Sequence, residues 1–316
     1  MRLTRVCAFT VSLAASVAAL AATDDAVAPL KSKELSIPAV CGAAPPPADA
    51  AVRTIGELSW HTDYSAAFRD AEAQHRMLLV FFRDEERPAA SDKFEKNVLS
   101  NKQLNDELIE YVRLVLPLSA EKPYRIPESA GRLIDEPSFA HMHRRAGIAI
   151  IDMMDRKDKL LFGQVVSAHP FGTSLSETLH GTQAVLRLPR GTLTQRTLTF
   201  AVRMHPAGPQ SAFGRCNAFL CSQCTVSSRL MSQYGSVGHH DWGNRSAQIG
   251  SALGRSPSEV AAMSGNGSVV DAAFEIVNQW AGSPTHWGMV ASPSAMFGYD
   301  MVQGPGGWYG TGLFVN

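Results

Sequence analysis

Apolar and polar positions follow two different periods along this chain. From Asp63, the apolar residues Tyr64, Ala67, Phe68 and Ala71 recur at i, i+3, i+4 and i+7, which places them on one stripe of a helix. The unbroken run Met77 to Phe82 predicts a buried strand, Asn101 to Glu110 a second helix, and Tyr111 to Leu118 another strand. Gly147 to Asp152 supplies a third strand and, after the charged turn Asp155 to Asp158, Leu160 to Ser167 a fourth. Helices set between short apolar strands predict an α/β layer.

The C-terminal part has its own pattern. Arg196 to Pro206 reads as an entry strand ending at a proline. A helix is predicted from Asn217 to Tyr234, stopping at Gly235, with Leu220, Cys224, Ser227 and Met231 on one stripe. Ser268 to Ala281 is the clearest helix: Ser268 and Asp271 resemble a capping box, and Val270, Ala273, Phe274, Val277 and Ala281 form one apolar face ending at Gly282. The glycine-rich end, Phe297 to Tyr309, predicts a hairpin turning at Gly304 to Gly307.

Length and composition then divide the chain. Its 316 residues suffice for two domains, and 29 basic residues balance 29 acidic ones, so no net field exists to hold nucleic acid. Arg2 and Arg5 precede the apolar run Val6 to Ala22, the charged start and apolar centre of a signal peptide over residues 1–23. Export to the periplasm, cell envelope or medium is therefore expected. No later segment is apolar enough to span a bilayer, so no membrane span is expected after signal removal. Residues 24–52, rich in alanine and proline, read as a tether that carries Cys41. The domains are then expected at residues 53–190 and 191–316.

In the first of these, Trp60 before a helix, the strand Leu78 to Phe82 and the segment Phe94 to Leu99 together resemble the thioredoxin-like family. The resemblance spans about Ile55 to Phe171. Redox-active members open a helix with Cys-x-x-Cys, whose thiolate at the helix N-terminus attacks disulfides. The matching stretch here is Pro88-Ala-Ala-Ser91, without cysteine, and Ala149 stands where the family carries a cis proline. Disulfide exchange by this domain is thereby excluded, leaving docking or packing as its role.

In the second, His239-His-Asp-Trp-Gly-Asn-Arg245, then Trp280-Ala-Gly-Ser-Pro-Thr-His286, then Gly307-Trp-Tyr309 occur in the order found in the CAP superfamily. These motifs resemble its bacterial SCP-like branch. The middle motif of that family, Gly-Glu-Asn, is reduced to Glu259 between Ser258 and Val260, and its second glutamate is replaced by Ser283. The fold this implies is α/β throughout: a thioredoxin-like α/β sandwich followed by a CAP-type α-β-α sandwich.

The resemblance implies a site of His239, Glu259 and His286, with Trp280 and Trp308 as further ligand-binding residues. Two imidazoles and a carboxylate can hold zinc or another divalent metal with water in the fourth position, or can hydrogen-bond a small molecule or envelope component. Some family members bind metal weakly and others bind sterols or lipids. Each residue also has a plainer role available. Ser256-Pro-Ser-Glu259 is an S-x-x-E capping box, His286 can cap the hairpin, and Trp242, Trp280 and Trp308 can be core residues. Cys216, Cys221 and Cys224 match the opening of a plant-type iron-sulfur pattern but lack the fourth downstream cysteine, and a link from Cys41 to one of them is an alternative. The expected function is an exported, non-catalytic binding protein. Its alternatives are a metal-assisted hydrolase and a structural envelope protein.

Overall fold

The computed structural model describes residues 52–123, 131–172 and 175–316. The predicted signal segment and all but the last residue of the tether lie outside the described residues, with Cys7 and Cys41.

Among the described residues, the N-terminal half is built on six strands: β1 (Val52–Ile55), β2 (Leu58–His61), β3 (Leu78–Arg83), β4 (Val112–Pro117), β5 (Gly147–Ile151) and β6 (Val165–Pro170). They lie in the order β1-β2-β4-β3-β5-β6, with β2, β4 and β3 parallel and β1, β5 and β6 antiparallel to their neighbours. Central β3 explains its own unbroken apolar run, because both of its faces are covered. Leu78, Val80 and Phe82 pack with Phe68 and Ala71, whereas Leu79 and Phe81 pack with Phe94, Val98 and Trp60 on the other face. The first of these faces is covered by α1 (Tyr64–Gln74), started by the Asp63 carboxylate accepting from the Ala66 amide and ended by left-handed His75. On the second lie α2 (Ala89–Phe94), which continues as a π-helical turn Glu95–Leu99, and α3 (Asn105–Ile109). The fourth strand forms at Val165–Pro170, later than the expected Leu160 to Ser167; Asp158 to Gln164 instead makes turns held by the Asp158 carboxylate and carbonyl.

Two helices lead onward, α4 (Leu179–Leu186) and α5 (Leu193–Met204). The entry strand expected at Arg196 to Pro206 is thus a helix, which corrects the sequence expectation. Thr192 and Gln195 close a reciprocal capping box at its start, and the Thr197 and Thr199 hydroxyls donate to the carbonyls of Leu193 and Gln195 one turn back. Burial then selects the helical period: Leu198, Ala201 and Val202 enter the C-terminal core, while Phe200 enters the N-terminal one. Arg196, wholly buried on the same helix, donates to the carbonyls of Val185, Leu188 and Pro189 and to the Ser167 hydroxyl.

The C-terminal half has four strands, β7 (Arg215–Cys216), β8 (Ser258–Ser264), β9 (Met296–Gly304) and β10 (Gly307–Val315), in the order β7-β9-β10-β8. Strands β9 and β10 form the expected hairpin, with Gly304 opposite Gly307. Helices α6 (Ala218–Tyr234), α7 (Trp242–Leu253), α8 (Val269–Ala281) and α9 (Pro284–Ala291) complete this half. Val260, Phe297, Tyr299 and Phe314 pack with α8, whereas Tyr309 and Ala261 meet Met231 of α6, and Leu313 meets Leu220 and Cys224. The sheet therefore carries helices on both faces, and the α/β class holds for both halves. At Gly298 an added Cβ would stand 2.5 Å from the Cys221 amide nitrogen, so only glycine admits α6 this close to β9. Helix α6 starts on the Asn217 side chain and stops at left-handed Gly235, as its pattern predicts.

Candidate functional site

Three consecutive devices bring His239 and Glu259 together. Helix α6 ends at Gly235, the chain crosses to α7 through left-handed Asp241, and the Trp242 amide donates to the His239 carbonyl as α7 begins. Arg245, in the first turn of α7, therefore points back over the loop, and its Nε donates to the His240 carbonyl at 3.1 Å. Its Nη2 donates to both oxygens of Glu259, at 2.8 and 2.7 Å.

Glu259 lies on β8, opposite Leu313 of β10, and its side chain is buried. The helix-capping role open to it in the sequence is corrected by this placement: Ser258 to Ser264 is extended because β10 offers a full ladder of partners. His239 Nδ1 stands 3.0 Å from Glu259 Oε1. A carboxylate held by Arg245 can only accept, so the contact requires a proton on Nδ1 and leaves the lone pair of neutral His239 on Nε2. The arrangement runs from a buried ion pair to a side chain 43% exposed, with His239 as its solvent end.

His286 enters from another element. Pro284 opens α9, which places His286 in its first turn instead of on the hairpin. Its ring centre is 6.0 Å from that of His239, with the planes at 66°. Burial lowers the His286 pKa below the ordinary imidazole value, and the neighbouring His239 lowers it further, so both effects favour the neutral ring. The Trp242 ring lies against the site, its centre 5.3 Å from the Arg245 guanidinium and 6.5 Å from the His239 ring centre.

The remaining sequence candidates fall elsewhere. Trp280 is fully buried and stacks on Tyr299 with ring centres 6.0 Å apart. Trp308 is buried beside His141 of the N-terminal half. His240 turns to the Ser236 carbonyl and the Tyr234 ring. Arg245 is the site residue that sequence reasoning left unassigned. Its signal was present in the six-residue step from His239 to Arg245, the distance from the end of a loop to the first turn of the next helix.

Among the described residues no group of three or more His, Cys, Asp or Glu side chains is arranged to hold a metal ion. Both Glu259 oxygens are engaged by Arg245 and one also by His239, so the carboxylate is occupied by its own neighbours and does not itself reach outward. His239 Nε2 and the His286 ring are the groups that can take a metal or a polar ligand. No helix among the described residues is long and apolar enough to cross a membrane. Comparison with protein-family models, curated proteins and solved structures returned no match.

Proposed function

We propose that this chain is an exported, non-catalytic binding protein whose C-terminal half is a divergent CAP/SCP-like domain that binds a divalent cation of the zinc type through His239 and His286. The observation that carries this reading is the hydrogen bond between His239 Nδ1 and the buried, Arg245-held Glu259. Metal-binding histidines characteristically donate their second nitrogen to a carboxylate, which fixes the tautomer and raises the basicity of the ligating nitrogen. The neutral state favoured for His286 suits the same role.

A bound cation would supply a Lewis-acidic centre with positions open to water or a small polar ligand. Two protein ligands make a weak and open site, which favours reversible binding over tight structural metal. The N-terminal half, thioredoxin-like in this reading, serves as a docking or spacing module; residues 53–190 contain no cysteine.

Titration calorimetry with zinc on the full chain tests the proposal. Saturable heat is expected from the natural protein and not from the His239→Ala/His286→Ala variant. Equal heats from the two proteins would remove the metal reading.

A further inference from the structure

Three cysteines converge where β7 meets the start of α6, and they are not equivalent. Cys224 is fully buried and its thiol donates to the Gly298 carbonyl at 3.2 Å, inside the packing of α6 on β9. Cys221, in the first turn of α6, is also buried. Cys216, at the end of β7, is half-buried, and its Sγ lies 3.6 Å from that of Cys221.

We infer that Cys216 and Cys221 form a dithiol pair that closes to a disulfide on meeting a low-molecular-weight disulfide such as oxidised glutathione, with Cys216 as the attacking sulfur and Cys221 as the resolving one. A disulfide bond is about 2.05 Å long, so closure asks for an approach of about 1.5 Å, within reach of side-chain rotation and a small backbone shift. Cys216 precedes the Asn217 cap of a 17-residue helix, whose N-terminal field favours a thiolate.

The charge environment agrees with this division of roles. The hydrogen bond from Cys221 lowers the Cys216 pKa, burial opposes it, and the Arg203 guanidinium lowers it again. The Arg203 guanidinium donates to the carbonyls of Arg187 and Ala212 and stands over the Phe213 ring. The same contact with Cys216, together with burial, raises the Cys221 pKa, so Cys221 remains the protonated partner.

The chemistry balances with the small disulfide as oxidant. The Cys216 thiolate attacks one of its sulfurs, the small S–S bond breaks, and one thiolate leaves and is protonated by water. Cys221 then releases its proton to solvent and its sulfur attacks Cys216 Sγ, expelling the second thiolate, which is also protonated. The protein loses two electrons and the small disulfide becomes two thiols.

The test treats the reduced, folded full chain with oxidised glutathione, blocks free thiols and maps the products by mass spectrometry without reduction. Chymotryptic cleavage after Phe219 and Leu220 separates the two cysteines, so peptides joined across that cut report the bond. The natural chain and Cys224→Ser are expected to show the 216–221 link, and Cys221→Ser a persistent glutathione adduct on Cys216. Free cysteines, an adduct that never resolves in the natural chain, a 221–224 link or a link from Cys41 would each overturn the pair. The mapping on the natural chain decides the matter even where a serine variant does not fold.

Discussion

Arg245 Nη2 contacts both carboxylate oxygens of Glu259 across fourteen residues of sequence, and only about 4% and 1% of the two side chains are exposed. The pair joins the first turn of α7 to the middle layer of the C-terminal half. A buried ion pair of this kind contributes little over a well-packed apolar pair, but each half is costly without the other.

Replacement of Arg245 by methionine is therefore expected to destabilise the protein by about 3–5 kcal/mol, because the Glu259 charge remains buried without its partner. Urea unfolding followed by circular dichroism measures this. The Arg245→Met/Glu259→Gln double variant is expected to recover part of the loss, and a double variant no better than the single one would show that the charge is not the cause.

Glu259→Gln by itself removes the ionised acceptor of His239 while keeping the size of the side chain. Zinc affinity is expected to fall by about 10–100-fold, the usual effect of losing a ligand's carboxylate partner. Calorimetry on the folded variant checks it, and unchanged affinity would mean that Glu259 has no part in orienting His239.

His169 predicts an acid-sensitive fold. Its ring is fully buried against Phe200, neither nitrogen has a partner among the described residues, and burial with the nearby Arg196 charge depresses its pKa to about 3. The unfolded chain binds this proton below about 6.5 whereas the folded one does not until about 3, so stability is complete above the higher value and falls as pH drops between the two. Roughly 3 kcal/mol is expected to be lost between pH 7 and pH 4 from this group. His169→Leu should flatten that part of the stability profile, measured by urea midpoints at a series of pH values.

The two halves are expected not to separate cleanly at the 190/191 boundary. Phe200 of α5 is buried in the N-terminal core, and Arg196 holds three carbonyls that precede the cut. Residues 191–316 expressed alone should melt well below the full chain and bind hydrophobic dye. A fragment as stable as the whole would show that α5 is no shared strut.

Several elements were legible because their signals are local. The stripe from Tyr64 to Ala71, the run Leu78 to Phe82 and the Asn217 cap and Gly235 stop of α6 each act within a few residues. The glycine-rich hairpin does too. These determined an α/β chain with a helix-and-sheet C-terminal half, and the family resemblance pointed to His239, Glu259 and His286. Tertiary structure decided the rest. The segment from Leu193 to Met204 suits a strand by its threonines and a helix by its capping box, and only the two cores, one taking Leu198 and the other Phe200, select the helix. Glu259 fits a helix start until β10 supplies a ladder, and its charge becomes tolerable only because α7 delivers Arg245 to the same place. Local propensity chooses among conformations that differ by little, whereas burying a core or leaving a charge unpaired costs several kcal/mol, so the distant partner prevails.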